Sequence, residues 1–375
     1  MYDQIRNDTL FGMLYAVVSA LFLAACCYLL FRQGNAFARD VTPPVRLRRW
    51  TAAYFAATAV CHLWYMQIFF LTSAEDIMMT DLIGGLLDSV LAVPLVICVM
   101  LNMLQDRRRP LWPIPLMIAP FVVGEVYSIA TLSYAVIPML HVYLLLLSIC
   151  IAIYMFRATR QYGRWLRDNY ADLEHKEVWQ SLVVLALMLL LFVFYTFLGN
   201  VTLFLYAYQL FDIVFLGYLL WRVETLSDLS IPVNDPSSPT RNYPALPPGT
   251  CKNIGQLLQQ RCIDTQLYLQ HDLTISQLAQ AIGTNRTYLS QYFSSQGLTY
   301  NAYINDLRIN HFVSLYRENV AAQRSFTVYQ LAKESGYSSY STFCGIIKRK
   351  TGLSVTAWMK DIAPDLELRE GLREP

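Results

Sequence analysis

Two stretches in the C-terminal third of the chain carry polar side chains at helical spacing around an apolar pair. In residues 285–294, Leu289 and Phe293 recur at i and i+4, which turns them to one helix face and leaves Arg286, Thr287, Ser290 and Gln291 on the other. In residues 340–350, Phe343 and Ile347 repeat the pattern. They leave Tyr340, Ser341, Cys344 and Gly345 outward, followed by Lys348, Arg349 and Lys350. The chemistry these side chains offer is recognition: a glutamine can pair bidentately with adenine, a threonine methyl can touch thymine, and lysine and arginine neutralise phosphates.

Each stretch follows a similar shorter element. Leu278-Ala279 and Leu331-Ala332 sit at matching places on short amphipathic segments, and Gly283 and Gly336 follow where the chain must reverse. A small residue lets two helices cross closely, and glycine gives the reversal its backbone freedom. Leu273–Phe293 and Phe326–Gly352 therefore read as two helix-turn-helix units, the geometry that lays a second helix in the major groove. Residues 271–360 hold nine basic against four acidic side chains, a net of +5, although the whole chain is only +2. That excess suits a phosphate backbone.

The two units, the segment Tyr300–Tyr316 between them, and Phe343, Lys348, Thr351-Gly352 and Trp358 in this order resemble the DNA-binding domain of AraC/XylS-type transcription regulators over residues 250–362. The resemblance implies two recognition helices joined by one helix, with Thr287 and Gln291 at the family's base-reading positions. The chain departs from the family pattern at Val355, where a proline is usual, and at Trp358-Met359, where an aromatic-arginine pair is usual. Where the family often has a long polar side chain, Gly345 stands. The second half is therefore expected to act more through phosphate contacts by Lys348, Arg349 and Lys350.

The remainder of the chain has a different character. With 55% hydrophobic and only 15% charged residues, the composition is too apolar for an ordinary soluble protein. The excess lies in seven segments, Leu10–Phe31, Trp50–Thr72, Leu82–Leu104, Leu111–Thr131, Tyr134–Phe156, Trp179–Gly199 and Thr202–Trp221. Each has the length a helix needs to cross the hydrocarbon of a bilayer. Basic residues cluster after the first, third and fifth segments (Arg32, Arg39, Arg46, Arg48 and Arg49; Arg107, Arg108 and Arg109; Arg157, Arg160, Arg164, Arg167 and Lys176), whereas Glu75, Asp76 and Asp81 mark an alternate connection and only Arg6 lies on the other side. Short basic loops stay in the cytoplasm, so the N-terminus is expected outside an inner membrane and the C-terminus inside. The first segment is longer than a signal-peptide core and its basic cluster follows it, so it reads as an uncleaved span. No C-x-x-C pair occurs among the eight cysteines, and no metal or cofactor is expected.

Ionisable residues within spans are costly and turn inward. Asp88, Glu125 and His141 sit on three segments, each about six residues from the expected outer end, or about 9 Å deep. They can be read as an outward-open cavity for a small ligand, cation or proton, or as helix-to-helix hydrogen bonds. His62 and Asp212 lie nearer the midplane. The chain lacks H-E-x-x-H, G-x-S-G and P-loop patterns, so an enzyme is not expected.

The expected fold is all-α: a seven-helix transmembrane domain over 1–226, a proline-rich tether over 227–250, a double helix-turn-helix domain over 251–362 and an acidic tail over 363–375. The expected function is a membrane-integrated one-component transcription regulator, with duplex DNA, the lipid bilayer, a small ligand or ion and a second copy of the chain as partners. The alternative is a transporter or channel-like protein with a cytoplasmic interaction module.

Overall fold

A computed structural model describes residues 8–32, 36–37, 41–198, 202–229 and 248–362. Most of the tether and all of the acidic tail lie outside these residues. The chain divides into two compact units, one of Met1–Tyr162 with Val178–Ile231 and one of Gly163–Glu177 with Pro232–Pro375. The described residues are helical and form no strand, only an isolated bridge between Tyr170 and Thr274.

The first unit contains α1 (Thr9–Phe31), α2 (Val45–Tyr65), α3 (Ala74–Leu87), α4 (Val93–Met103), α5 (Pro113–Thr131), most of α6 (Ile137–Asn169), α7 (Trp179–Leu198) and α8 (Thr202–Thr225). α3 and α4 are one helix interrupted by a π-turn at Asp88–Ala92. The cause is local: Pro94 has no N–H and its ring crowds the preceding turn, so the hydrogen-bond ladder changes register ahead of it.

Among the described residues, four helices are long and apolar enough to cross a membrane: Thr9–Phe31, Ala74–Met103, Pro113–Thr131 and Ile137–Asn169. The sequence predicts seven. α2 opens with Arg46, Arg48 and Arg49, and α8 contains Gln209, Asp212, Arg222 and Glu224, so both are helices of membrane-spanning length but mixed polarity. The unit exposes large apolar side chains and buries several polar groups within its apolar packing. Leu10, Met13, Leu116, Val123 and Met139 are each about two-thirds exposed or more, while Ser19, Thr51, Thr58, His62, Glu125, Ser128 and Asp212 are buried. The hydroxyls of Ser19, Thr51 and Thr58 bond the carbonyls four residues back, the internal partner available to a hydroxyl on a helix in apolar surroundings.

α6 is longer than the apolar pattern predicts. It continues through Arg157, Arg160, Arg164 and Arg167 to Asn169, because arginine favours a helix and no proline intervenes. The boundary between the units falls inside it, so residues 163–177 belong with the C-terminal unit.

In that second unit, α9 (Pro248–Leu258) precedes α10 (Ile275–Ile282), α11 (Arg286–Ser295), α12 (Tyr300–Ala321), α13 (Val328–Glu334), α14 (Tyr340–Thr351) and α15 (Val355–Ile362). Two apolar clusters hold it. Leu278, Ala279, Ile282, Leu289 and Phe293 pack with Tyr300 and Ile304; Leu331, Ala332, Phe343 and Ile347 pack with Ile309, Phe312 and Val355. One half of α12 serves each cluster. Val355, at the position where the resembled family has proline, fills part of the second core and opens α15.

Gly336 has φ of +88°, and an added Cβ would stand 2.8 Å from the backbone of Leu269. Gly336→Ala is therefore expected to destabilise the C-terminal unit by more than about 2 kcal/mol. Gly345 lies within α14 and an added methyl meets nothing within 4 Å, so Gly345→Ala should be neutral or stabilising by up to about 1 kcal/mol. Denaturant titration of the two variants measures the contrast.

Candidate nucleic-acid interface

The two helix-turn-helix units are built with the same local devices. Thr274 caps α10 and Thr327 caps α13, each in a reciprocal capping box with the residue three positions on, Gln277 and Gln330. Gly283, at φ +80°, makes the first reversal as Gly336 makes the second. The recognition helices are then capped by Asn285, which accepts from Tyr288 N at 2.8 Å, and by Ser339, which accepts from Thr342 N at 3.2 Å. The paired T-x-x-Q signature was readable in the sequence and would have fixed both helix starts.

Leu289, Phe293, Phe343 and Ile347 are all buried, as their spacing predicts, which sets the opposite faces. On α11, Arg286, Thr287, Ser290 and Gln291 are half-buried and share the outward side; Tyr288, between them, is exposed. On α14, Tyr340, Ser341, Lys348, Arg349 and Lys350 are exposed and Cys344 is half-buried. Lys350 is already engaged, its Nζ 2.6 Å from Asp306 Oδ1 on α12. Both partners of that pair are 46% exposed, so water screens it and a phosphate can compete for the ammonium.

One component of the unit is absent from any reading of residues 251–362 alone. Arg308, on α12, has no exposed surface. Its Nη1 lies 2.8 Å from Asp172 Oδ1, and its Nε and Nη2 donate to the carbonyls of Tyr268 and Gln270, each at 2.8 Å. Asp172 belongs to residues 163–177. Beside it, Ala171 is fully buried in the first apolar cluster, its N donates to Leu273 O, and its carbonyl accepts from Asn301 and Asn305. Asp172 Oδ2 also accepts from Asp272 N at 2.9 Å, and Lys176 Nζ reaches Asp272 at 2.8 Å. The apolar pattern places this stretch in the connection after the fifth predicted span. Its signal was the acidic interruption at Asp168, Asp172, Glu174 and Glu177 in an otherwise basic loop.

The same segment reaches the second recognition helix. Ser341 Oγ donates to Glu174 Oε1 at 2.9 Å, and Ser339 Oγ and Thr342 Oγ1 both donate to Oε2. Burial alone pushes the Glu174 carboxyl up, but the hydroxyls of Ser339, Thr342 and Ser341, with His175 nearby, outweigh it and hold the group below its usual range. A depressed carboxyl stabilises its contact above its ordinary pKa, and the contact is lost only as pH falls through the lower value.

In the first unit, the three ionisable residues expected to share a depth are linked through acidic neighbours. Asp88, in the π-turn, accepts from Tyr65 OH at 3.1 Å and neighbours Cys61, His62 and Asp212. Glu125, on α5, feels Asp81 and Asp88, and His141, on α6, feels Asp81. His62 Nδ1 lies 3.0 Å from Thr58 O, which must accept, so Nδ1 carries a proton. Its Nε2 stands 3.6 Å from Asp212 Oδ2, beyond hydrogen-bond length. Among the described residues, neither of those atoms nor Glu125 Oε2 has a hydrogen-bond partner. Asp88 thus also neighbours His62 and Asp212, which the sequence places nearer the midplane. Among the described residues no cluster of potential metal ligands occurs.

Residues 278–361 match the family model of a helix-turn-helix domain. No curated protein and no solved structure matches the chain. The C-terminal unit is therefore a helix-turn-helix DNA-binding domain of a transcription regulator.

Removing Asp172 strands a buried guanidinium. Asp172→Ala is expected to destabilise the C-terminal unit by about 3–5 kcal/mol. A fragment beginning at residue 250 lacks the same partner, and adding a peptide of residues 163–177 should raise its melting temperature. Calorimetry of the fragment with and without the peptide checks this.

Proposed function

We propose that the chain is a membrane-integrated one-component transcription regulator, an AraC-type double helix-turn-helix domain carried by a seven-span bundle. The observation that carries the reading is the coexistence in one chain of a helix-turn-helix domain and a helical unit with long apolar helices, large exposed apolar side chains and ionisable groups buried within it. α2, α7 and α8 would complete the seven spans beside the four strongly apolar helices. The basic connections support an inner-membrane topology with the N-terminus outside and the C-terminal unit in the cytoplasm, where DNA is.

In this reading α11 and α14 enter successive major-groove segments. Gln291 and Thr287 read bases, with Arg286 and Ser290 beside them, and Tyr340, Ser341, Cys344, Lys348, Arg349 and Lys350 form the second contact. Asp88 and Glu125 belong to a polar interior that would respond to a small ligand, cation or proton, with His141 linked to them through Asp81. The unpartnered buried atoms of Glu125, His62 and Asp212 support such a site, since buried polar atoms ordinarily find partners. A ligand there alters DNA binding only through its differential affinity for two states of the bundle.

Gln291→Ala should relax preference at one base position by about 1–3 kcal/mol, whereas Lys348→Ala should weaken all sequences alike and flatten the salt dependence. Selection from a randomised duplex library, followed by salt titration, separates the two; an unchanged selected sequence in Gln291→Ala would remove that residue from the base contacts. For the topology, Glu75→Cys in a cysteine-free background should react with an impermeant maleimide on intact cells, and Ser294→Cys only after lysis. Both positions are exposed, so equal labelling would overturn the orientation.

A further inference from the structure

The hydroxyls at the start of α14 face two duties at once. Ser339 is the cap of that helix, and Ser341 and Thr342 lie in its first turn. These are the residues through which a recognition helix meets DNA, because its N-terminal end points into the groove. Backbone N–H groups, the positive end of the helix dipole and hydroxyl donors together favour an anion there. In this chain the anion is the Glu174 carboxylate, both of whose oxygens are held by Ser339, Ser341 and Thr342.

We propose that Ser339, Ser341 and Thr342 form a phosphodiester-binding site for duplex DNA, and that Glu174 occupies it as an intramolecular clasp which DNA must displace. This rests on the DNA-binding reading above. A phosphodiester, like a carboxylate, presents two equivalent anionic oxygens, so one set of hydroxyls serves either. Both cannot be present, since a carboxylate left beside an incoming phosphate repels it at close range. Asp172 with Arg308 on one side and Lys176 with Asp272 on the other fix the segment that carries Glu174. The exchange therefore requires only the glutamate side chain to swing away. The clasp is continuous in sequence with α6, whose first 26 residues, 137–162, belong to the other unit, so a change in that helix has a covalent route to the site.

The clasp also explains why the acidic residue stands where it does. The basic excess of the module attracts DNA of any sequence. A carboxylate on the second recognition helix lowers that indiscriminate affinity without altering the base-reading side of α11.

The test uses the full chain in lipid nanodiscs and a fluorescent mixed-sequence duplex of about three helical turns. If the clasp is shut in about nine molecules of ten, Glu174→Gln should tighten binding about tenfold. Ser341→Ala placed on top of Glu174→Gln should then weaken binding, because the hydroxyl has passed to phosphate. Unchanged or weaker binding by Glu174→Gln, at an unchanged melting temperature, overturns the clasp and leaves the DNA-binding reading intact. Should Glu174→Gln melt lower, Glu174→Asp, which keeps the charge but withdraws it by one methylene, must still tighten binding; equal affinity overturns the proposal. If neither the parent nor the folded variants bind the duplex at low salt, the DNA-binding reading itself fails and the clasp with it.

Discussion

A guanidinium stays charged at every physiological pH, so Arg308, without exposed surface, has to be satisfied entirely from within. The partners it gathers come from three separate stretches: Asp172, the turn carbonyls of Tyr268 and Gln270, and the face of Tyr337, whose ring centre is 5.7 Å from the guanidinium carbon. Tyr337 directly follows Gly336 in the second helix-turn-helix, while Tyr268 leads into the first. The linking helix α12 thus does more than separate the recognition helices. Its buried charge fixes the approach of both units to each other and draws in a segment from more than a hundred residues earlier. A hydrophobic residue of similar volume would pack there, but it would not specify those partners.

The N-terminal unit solves the opposite problem. Its outward surface is apolar, so its specificity has to lie inside, in the hydroxyls that bond their own helices and in the polar groups around Asp88. The π-turn at Asp88–Ala92 is what brings that carboxylate to Tyr65, on α2, and Pro94 accounts for the turn. Buried atoms without a hydrogen-bond partner, those of His62, Glu125 and Asp212 among them, mark it as a place where structure is held at a cost.

The recognition helices could be read before any coordinates because their cores depend on short-range spacing. Leu289 with Phe293 and Phe343 with Ile347 state which way each helix faces, and Gly283 and Gly336 state where the chain reverses. The long apolar helices were legible in the same way wherever charge was sparse, as in α1 and α5; α2 and α8 were less so, because Arg46, Arg48, Arg49, Asp212 and Arg222 dilute their pattern. What periodicity could not show was Asp172 against Arg308 or Glu174 against Ser341. Those contacts join positions 136 and 167 residues apart. No local pattern encodes such a separation, and the apolar segments between them hid the relation. The shared depth of Asp88, Glu125 and His141 is legible in the same way, but counting along helices gives height in the bundle and not which faces meet, so the approach of Asp88 to Tyr65 had no signal in the spacing.

The discontinuity of the C-terminal unit has a consequence for biosynthesis. Residues 170–176 leave the ribosome well before α12 exists, and α7 and α8 are made in the interval. The Asp172–Arg308 pair closes a loop of 136 residues, so it is among the last contacts whose closure entropy is met. Until then Arg308 has the carbonyls of Tyr268 and Gln270 but lacks its carboxylate, and the first apolar cluster lacks Ala171. The DNA-reading half is therefore completed by residues made before it, and its maturation waits on a segment that is carried through the synthesis of α7 and α8.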